Sequence, residues 1–251
     1  MTRFYRFSDN GTARYAVERD GACRLVDGDI FGDWREGAAI AMPERLLAPI
    51  LPSKVVAIGL NYKDHAAEQG KPVPAEPVLF LKPSTAVIGP GERVVIPRGV
   101  GRVDHEAELG IVIGRRATRV AEAEALQYVL GAVCVNDVTA RDIQRKDGRY
   151  TRAKGFDTFA PIGPCVATGL SLDDLEVEGW VNGARRQASS TQQLIFSVPR
   201  LIEYVSAIMT LLPGDIISTG TPAGIGSLQP GDRVTIKVGG VGELTNPVVA
   251  G

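Results

Sequence analysis

The chain has few cysteines and no long hydrophobic segment. Three cysteines among 251 residues form no Cys-x-x-Cys pair, so the sequence predicts neither a disulfide framework nor a zinc knuckle. The most apolar stretch, residues 198–212, contains charged residues and is shorter than the roughly 18 residues that read as a membrane-spanning helix. The amino-terminal segment also lacks the apolar run of a secretory signal. We therefore expect a cytoplasmic protein without a membrane span.

The chain has no excess of positive charge. Its 28 lysines and arginines are balanced by 29 aspartates and glutamates, which gives a formal charge of −1 at pH 7. A nucleic-acid-binding protein would carry a basic stripe that neutralises phosphates. Hydrophobic residues make up 44% of the sequence, as in ordinary globular proteins. The composition therefore predicts a globular protein with a large core and with neither nucleic acid nor membrane as a partner.

The sequence divides into two predicted domains near residue 52. Residues 1–52 alternate short polar and apolar groups, with glycines at the turns, and this pattern predicts a few short antiparallel strands. After Pro52 the chain continues into an uninterrupted apolar segment at 55–59, which is typical of a buried strand. We therefore predict a small amino-terminal domain at residues 1–52 and a larger domain at residues 53–251.

Beyond residue 52, predicted strands outnumber predicted helices. Strand-like segments lie at residues 77–82, 93–96, 107–113, 128–136, 162–168, 176–181, 215–218 and 233–238. Helical periodicity is clearest at residues 197–211, where apolar side chains fall on one face, and at residues 120–127. Two helices cannot cover both faces of a doubly wound parallel sheet. The pattern predicts a mixed, β-rich α/β fold with a few peripheral helices.

Three carboxylates lie at the ends of two predicted strands. Glu106 and Glu108 are two residues apart at the start of an apolar strand, so their side chains leave the same face. Asp137 follows the apolar strand at 128–136. Such residues can also be a solvated strand edge or a turn residue. As a cluster without cysteine or histidine, they predict an all-oxygen site for a hard cation, Mg²⁺ by default, with Mn²⁺ or Ca²⁺ as alternatives.

The two histidines of the chain have different predicted roles. His65 precedes Glu68 by three residues, which places both side chains on one face of a helical turn. A carboxylate beside an imidazole makes the imidazole a better base, so the pair could deprotonate water. A surface ion pair is the other interpretation. His105 points away from the face of Glu106, and we expect it to have a structural role.

Residues 138–158 form a charged segment between apolar strands. The segment is rich in basic residues, and it predicts either a mobile lid or a solvated loop. Its basic side chains could hold a carboxylate substrate. Lys154 lies between small residues, where an ammonium can approach a ligand. The small-residue segment 218–226 could also approach a ligand or form a tight turn, and it matches no phosphate-binding motif.

Five ordered motifs resemble signatures of the fumarylacetoacetate hydrolase family, and the likeness runs from about residue 54 to residue 249. They are Gly-Leu-Asn-Tyr at 59–62 with His65 and Glu68, His-Glu-Ala-Glu-Leu at 105–109, Asn-Asp-Val-Thr-Ala-Arg-Asp at 136–142, Lys-Gly-Phe-Asp-Thr-Phe at 154–159 and Thr-Gly-Thr-Pro at 219–222. Chance agreement at five successive sites is improbable. The resemblance implies a mixed β-sheet roll with a small amino-terminal β domain.

The resemblance also implies a role for each part of the predicted site. The implied ligands of a divalent metal ion are Glu106, Glu108 and Asp137. The implied catalytic residues are His65 and Glu68, which activate water, and Lys154, which contacts the substrate. The implied pocket-lining residues are Arg141, Gln144 and Thr221. Relatives are usually homodimers, so we expect a homodimer. Many relatives have tryptophan where this chain has Tyr150, and this difference leaves the packing of the lid and the choice of substrate open.

The resemblance implies a metal-dependent enzyme that acts on a small-molecule 2-oxo acid. The leading interpretation is hydrolysis of the carbon–carbon bond in an acylpyruvate or fumarylacetoacetate-type substrate. The alternatives are decarboxylation of oxaloacetate, and isomerisation or decarboxylation of a 2-hydroxyhepta-2,4-diene-1,7-dioate-type compound in aromatic degradation. A binding protein that has lost its chemistry would lack the carboxylates or the histidine–glutamate pair, whereas this chain has both.

Overall fold

The computed structural model describes residues 1–251 and consists mainly of β-strands. In chain order the strands are β1 (Thr2–Asp9), β2 (Thr12–Arg19), β3 (Ala22–Gly28), β4 (Trp34–Ala39), β5 (Lys54–Gly59), β6 (Val78–Pro83), β7 (Val87–Ile88), β8 (Val94–Ile96), β9 (Val103–His105), β10 (Ala107–Ile113), β11 (Val129–Asn136), β12 (Thr139–Ala140), β13 (Ala160–Thr168), β14 (Glu176–Val181), β15 (Ala184–Ser190), β16 (Ile216–Ser218), β17 (Gly226–Leu228), β18 (Arg233–Val238) and β19 (Gly242–Ala250). The α-helices are α1 (Lys63–Glu68), α2 (Arg141–Asp147), α3 (Thr151–Lys154) and α4 (Val198–Ile208), and short 3₁₀ segments lie at Ser84–Ala86, Glu122–Tyr128 and Thr191–Gln193. The predicted β-rich fold with few helices is confirmed.

An eleven-stranded sheet runs through the molecule in the order β4-β3-β2-β1-β13-β11-β10-β16-β5-β6, with β7 beside β13. Most neighbours are antiparallel, but β16 and β5 run parallel, so the sheet is mixed. Every residue of β10 is buried. Burial on both faces of the sheet explains why the sequence of this strand is continuously apolar apart from the glutamate at its start.

A second sheet packs against the first. Its five strands follow the order β15-β14-β18-β19-β8, and β14 and β18 contact β10. The facing side chains, which include Leu109, Val177 and Ile236, form the largest hydrophobic core of the protein. A separate three-stranded sheet has the order β12-β9-β17. Strand β9 ends just before Glu106 in the sequence, and β12 begins two residues after Asp137.

The antiparallel strands predicted at the amino terminus are present as β1 to β4. Because β1 pairs with β13, these strands extend the large sheet. Phe4 and Val17 belong to a second core cluster with Ile162 and Val166 of β13. A domain boundary at residue 52 stays a prediction.

The helix predicted at residues 197–211 is present as α4. Its Ser197 hydroxyl caps the helix by accepting a hydrogen bond from the Arg200 backbone nitrogen at 3.4 Å. Leu201, Ile202 and Val205 form its buried face, as the apolar periodicity predicts. No helix in the structure combines the length and apolar character that a bilayer crossing requires.

Several parts of the chain differ from the sequence-based predictions, and the short strands β7, β9 and β17 are among those that the apolar pattern does not predict. Residues 138–158 are not one long loop, since they contain β12, α2 and α3. The predicted helix at residues 120–127 is a 3₁₀ segment, Glu122–Tyr128. The apolar pattern does not predict β15 or β19, because polar and small residues interrupt it. Pairing with β14 and β18 supplies the hydrogen bonds of these two strands.

Candidate active site

The three predicted metal ligands lie together where β10 begins and β11 ends. Antiparallel pairing sets Ala107 opposite Asn136, so Glu106 and Glu108 come close to Asp137. One oxygen from each carboxylate lies within 4.8 Å of the others, and all three residues are buried. Two strand ends therefore bring together carboxylates that are distant in sequence.

Glu108 is held by a hydroxyl donor and a backbone donor. Its Oε2 accepts hydrogen bonds from Ser218 Oγ at 2.5 Å and from the Gly220 nitrogen at 3.0 Å. Burial raises the pKa of Glu108 to about 8, and the charges of Asp137 and Glu106 act in the same direction. A cation among the carboxylates would favour the ionised form of Glu108.

Two cationic side chains partly neutralise Glu106 and Asp137. The Lys154 ammonium donates to Glu106 Oε2 at 2.8 Å and to Asp137 Oδ2 at 2.5 Å, and the Arg141 guanidinium also donates to Glu106. Burial opposes the ionisation of Glu106, but Arg141 and Lys154 outweigh burial, so the pKa of Glu106 is lowered. Burial likewise disfavours the Lys154 ammonium, but Asp137 and Glu106 outweigh it and raise the pKa of Lys154.

Lys82 is a further member of the cluster, and the sequence motifs do not identify it. It is fully enclosed on β6, where its ammonium donates to Asp137 and to the Val138 carbonyl oxygen, the latter at 3.2 Å. Burial lowers the pKa of Lys82, and this effect outweighs the negative charge of Asp137, which acts in the opposite direction. The sequence does contain a signal for it. Strand alternation places Lys82 on the same buried face as Phe80, and a buried lysine needs an acidic partner.

His65 and Glu68 form the predicted pair on α1. His65 Nδ1 lies 2.8 Å from Glu68 Oε2, and Nδ1 carries the hydrogen because a carboxylate only accepts. Glu68 Oε1 accepts a hydrogen bond from the Gly224 nitrogen at 2.9 Å, which fixes the carboxylate. The other ring nitrogen, Nε2, lies 2.6 Å from Gln69 Nε2. Because an amide nitrogen donates, His65 Nε2 is the acceptor and basic nitrogen.

The loop after β16 approaches the start of α1 closely. Gly220 has a φ of +97°, and a Cβ at this position would lie 2.8 Å from Asn61 Cβ, so glycine is required here. Asn61 Nδ2 donates to the Thr219 carbonyl oxygen at 2.8 Å. Thr221 Oγ1 donates to the Ala107 carbonyl oxygen at 2.9 Å. The Thr221 hydroxyl therefore donates its hydrogen within the protein. A ligand would contact the other atoms of this residue.

Most of the predicted site residues line one cavity of about 290 Å³. The predicted residues in its lining are His65, Glu106, Glu108, Arg141, Gln144, Lys154 and Thr221. Glu68 and Asp137 are not part of this lining, but they contact its residues His65 and Lys154 respectively. The structure thus brings Glu106, Glu108 and His65 to one cavity, with Asp137 and Glu68 in contact with its lining residues.

Aromatic and basic residues form the rest of the cavity wall. Tyr150 lines the cavity, and its ring lies 5.0 Å from the Phe80 ring between centroids. Lys71 and Arg145, both exposed, also border the cavity. Tyr150 therefore forms part of the cavity wall.

His105 lies outside this cavity. Its Nδ1 is 3.1 Å from Gln187 Oε1 in the protein interior. Burial lowers the pKa of His105, so burial favours the neutral ring. The location agrees with the structural role that strand alternation predicts.

Comparisons with known proteins identify the family. Residues 54–249 match the family model described as fumarylacetoacetate (FAA) hydrolase C-terminal. The structure of 5-carboxymethyl-2-hydroxymuconate delta-isomerase from Mycobacterium smegmatis matches with a TM-score of 0.91 and 46% identity, over 99% of this chain and 100% of that chain. The structure of 2-hydroxyhepta-2,4-diene-1,7-dioate isomerase from Mycobacterium marinum matches with a TM-score of 0.91 and 43% identity, over 100% of this chain and 99% of that chain.

A third solved structure is similar over its whole length. Fumarylacetoacetate hydrolase from the psychrophilic Exiguobacterium antarcticum matches with a TM-score of 0.90 and 34% identity, and each chain is covered in full. The family model covers the residues that carry the five motifs, and the three structures share the fold of this chain. This chain belongs to the fumarylacetoacetate hydrolase family of enzymes.

Proposed function

We propose that this protein is a divalent-metal-dependent enzyme that hydrolyses the carbon–carbon bond of an acylpyruvate or fumarylacetoacetate-type 2-oxo acid. The observation that carries the proposal is that one cavity is lined by His65 of the histidine–glutamate pair and by two of the three clustered carboxylates, Glu106 and Glu108. Such hydrolysis needs a Lewis acid at the 2-oxo acid and a base that takes a proton from water. The cavity volume of about 290 Å³ is at the small end of ligand pockets and suits a small substrate.

The clustered donor atoms fit a hard divalent cation. Glu106, Glu108 and Asp137 offer only oxygen, which Mg²⁺, Mn²⁺ and Ca²⁺ prefer. The raised pKa of Glu108 follows partly from its acidic neighbours, and this repulsion supports a cation at the cluster. Mg²⁺ is our default choice. When bound, such an ion supplies Lewis-acid polarisation of the carboxylate and 2-oxo oxygens of the substrate.

His65 is the proposed base. Its Nε2 accepts a hydrogen bond from Gln69, so a water molecule that replaces this amide can deliver its proton to the same nitrogen. Glu68 holds the Nδ1 hydrogen and stabilises the imidazolium that results. The water oxygen bonds to the distal carbonyl carbon of the acylpyruvate, and the bond from that carbon to the methylene carbon breaks. The methylene carbon takes a proton, which gives pyruvate and a carboxylic acid.

The proposed substrate contacts are Lys154, Arg141, Gln144 and Thr221. The Lys154 ammonium is placed to stabilise negative charge that develops on the substrate. Gln144 Oε1 accepts a hydrogen bond from Arg141 Nη1 at 3.0 Å, so the Gln144 amide nitrogen can donate to a ligand. The Thr221 hydroxyl donates to the Ala107 carbonyl oxygen, so the proposed contact of Thr221 with the substrate is a van der Waals contact.

Isomerisation of a dicarboxylic dienol is a second candidate function. It is favoured by the isomerases from Mycobacterium smegmatis and Mycobacterium marinum, which match this chain over nearly its whole length at 46% and 43% identity. The exposed cations Lys71 and Arg145 at the cavity could bind the second carboxylate of such a compound. In that reaction His65 would transfer a proton between carbon atoms instead of activating water.

Turnover of three substrates by the purified protein tests these proposals. Acetylpyruvate, oxaloacetate and 2-hydroxyhepta-2,4-diene-1,7-dioate are each incubated with Mg²⁺ and, separately, with EDTA. Mg²⁺-dependent loss of the acetylpyruvate enol absorbance, with equal release of pyruvate and acetate, supports hydrolysis. Conversion of the dienoate without acetylpyruvate cleavage supports isomerisation, and carbon dioxide release from oxaloacetate alone supports decarboxylation.

The His65→Ala variant separates water activation from decarboxylation. We expect it to abolish acetylpyruvate hydrolysis, because the variant has no imidazole beside Glu68 to take the proton from water. Decarboxylation of oxaloacetate consumes no water, so any such activity of the unmodified protein should persist in the variant. Hydrolysis at the unmodified rate would reject His65 as the base.

A further inference from the structure

We propose that Asp104 is a positioning residue that orients the Arg141 guanidinium so that Arg141 binds a carboxylate in the cavity. The carboxylate ligand is the part of this inference that rests on the proposed function. Asp104 itself is absent from the cavity lining, whereas Arg141 and Gln144 are part of it. Asp104 therefore acts through Arg141.

Asp104 is a buried carboxylate shared by two arginines. It lies in the middle of β9, paired with Thr139 on one side and with Ser227 on the other, and its side chain is 1% exposed. Its Oδ2 accepts a hydrogen bond from Arg141 Nε at 2.8 Å. Arg102 donates to both oxygens, from Nε to Oδ1 at 2.7 Å and from Nη2 to Oδ2 at 3.1 Å. This pairing fixes the plane of the carboxylate that Arg141 meets.

Arg141 retains donors for a ligand. Its Nε binds Asp104, its Nη2 binds Glu106 and its Nη1 binds Gln144. A guanidinium has five N–H donors, so one N–H remains on each of the two Nη nitrogens. Two such donors on one planar group match the two oxygens of a carboxylate.

The orientation of Arg141 depends on having anions on two sides. Asp104 and Glu106 are the two carboxylates with which Arg141 pairs. Without charge at Asp104, the attraction toward Glu106 is unopposed, and the guanidinium turns toward that carboxylate, so that its remaining N–H groups lose the orientation that binds a ligand carboxylate. The backbone adds to the constraint, because the Arg141 nitrogen donates to the Arg102 carbonyl oxygen at 2.8 Å.

Oxalate binding tests the proposal without requiring turnover. Oxalate has a carboxylate and an oxygen on the adjacent carbon, as a 2-oxo acid does, and it is titrated by calorimetry into protein saturated with Mg²⁺. Saturation is checked by a separate Mg²⁺ titration of each variant. In Asp104→Asn the side chain keeps its size and an acceptor for Arg141 but loses its charge. We expect the oxalate Kd to rise at least tenfold in this variant.

Asp142→Asn is the matched control. Asp142 is next to Arg141 in sequence and also interacts with Arg102, whose backbone nitrogen donates to Asp142 Oδ2 at 3.0 Å. Its side chain is 52% exposed and pairs with Arg145, not with Arg141. We expect its oxalate Kd to stay within twofold of the unmodified protein.

The Arg141→Lys variant, with and without Asp104→Asn, shows whether Asp104 acts through Arg141. If it does, the double variant binds oxalate as weakly as Arg141→Lys alone. Losses that add in the double variant, unchanged oxalate binding by Asp104→Asn, or no oxalate binding by the unmodified protein would each overturn the proposal.

Steady-state kinetics distinguish positioning from a general structural defect. On any substrate that is turned over, Asp104→Asn should raise KM at least tenfold while kcat stays within threefold, because the same contact is lost in the ground state and the transition state. A loss confined to kcat would overturn the inference. If acetylpyruvate is not cleaved by the unmodified protein but oxalate binding depends on Asp104, then the proposed function fails and this inference stands.

Discussion

Lys82 and Asp137 form an ion pair with both side chains inside the protein, where 0% and 1% of their side-chain surfaces are exposed. Asp137 also accepts a hydrogen bond from Lys154, so two ammonium groups meet one of the proposed metal ligands. Since isolated buried charges are costly, the partners of Asp137 affect both the stability of the fold and the charge that a metal ion meets.

Lys82→Met should destabilise the protein more without Mg²⁺ than with it. Loss of one partner leaves the buried Asp137 less well compensated, and the free energy of unfolding in EDTA should fall by about 3 kcal/mol. A bound cation replaces part of the lost positive charge, so saturating Mg²⁺ should recover part of this loss. Urea denaturation with EDTA and with Mg²⁺ measures both values.

Lys54→Met is the control for that experiment. Lys54 pairs with the fully buried Asp215, and neither residue lines the cavity. Its loss of stability should be the same in EDTA and in Mg²⁺. If Lys82→Met shows no Mg²⁺-dependent recovery, then Lys82 does not compensate charge at a metal site.

Glu108→Gln should weaken Mg²⁺ binding at least tenfold. Glutamine keeps the length of the side chain but replaces a charged ligand by a neutral amide. Calorimetric titration of Mg²⁺ measures the Kd directly. Glu203→Gln is a suitable control because Glu203 forms an exposed pair with Arg200 on α4. Equal Mg²⁺ affinities for both variants would reject the assignment of Glu108.

Glu68→Gln should lower kcat for hydrolysis by about 100-fold. The amide can still contact His65 Nδ1, but it carries no charge to stabilise the imidazolium. Glu68 does not line the cavity, so KM and the oxalate Kd should remain unchanged. Steady-state kinetics and calorimetry separate these effects. An unaltered kcat would mean that His65 does not act as a base supported by Glu68.

Gly110→Ala should lower the free energy of unfolding by about 1–3 kcal/mol. A Cβ at Gly110 would lie 2.5 Å from Val135 Cγ2 and 2.8 Å from Val133 Cγ2 on the neighbouring strand β11. Valine side chains are stiff, so the strands must separate. In contrast, a Cβ at Gly32 meets no atom within 4 Å, and Gly32→Ala should leave the urea midpoint nearly unchanged. Equal midpoints for both variants would contradict the packing argument.

Glu178 should contribute stability that is lost in acid. Burial opposes its ionisation, but hydrogen bonds from Arg185 and Trp180 outweigh burial and lower the pKa of Glu178 below its ordinary value. The ionised form is therefore favoured in the folded state. Its contribution is present above the unfolded-state pKa and disappears as the pH falls through the folded-state pKa.

Comparison with Glu178→Gln isolates this effect from other titrating groups. The unmodified protein should be more stable at pH 6 by up to about 1 kcal/mol, since the pair with Arg185 is partly exposed. The difference in unfolding free energy should shrink between about pH 5 and pH 3. A difference that grows in acid would contradict the sign of the pKa shift.

Local sequence patterns are sufficient to predict several parts of this protein. The continuous apolar segment at β10 and the helical periodicity of α4 follow from burial on one or both faces of an element, which depends on neighbouring residues in sequence. The three-residue spacing of His65 and Glu68 similarly predicts their contact, because one helical turn brings them together. The order of the five motifs predicts the family.

Tertiary structure alone decided how distant residues combine. Asp137 meets Glu106 and Glu108 through the pairing of β10 with β11, while Lys82 reaches Asp137 from β6, on the far side of β5 and β16 in the sheet order. Asp104 meets Arg141 because β9 pairs with β12. The sequence by itself determined which chemical groups are present and which face of each strand or helix they occupy. The fold determined their partners, because hydrogen bonding between strands and the low tolerance of the interior for unpaired charge act between residues far apart in the chain.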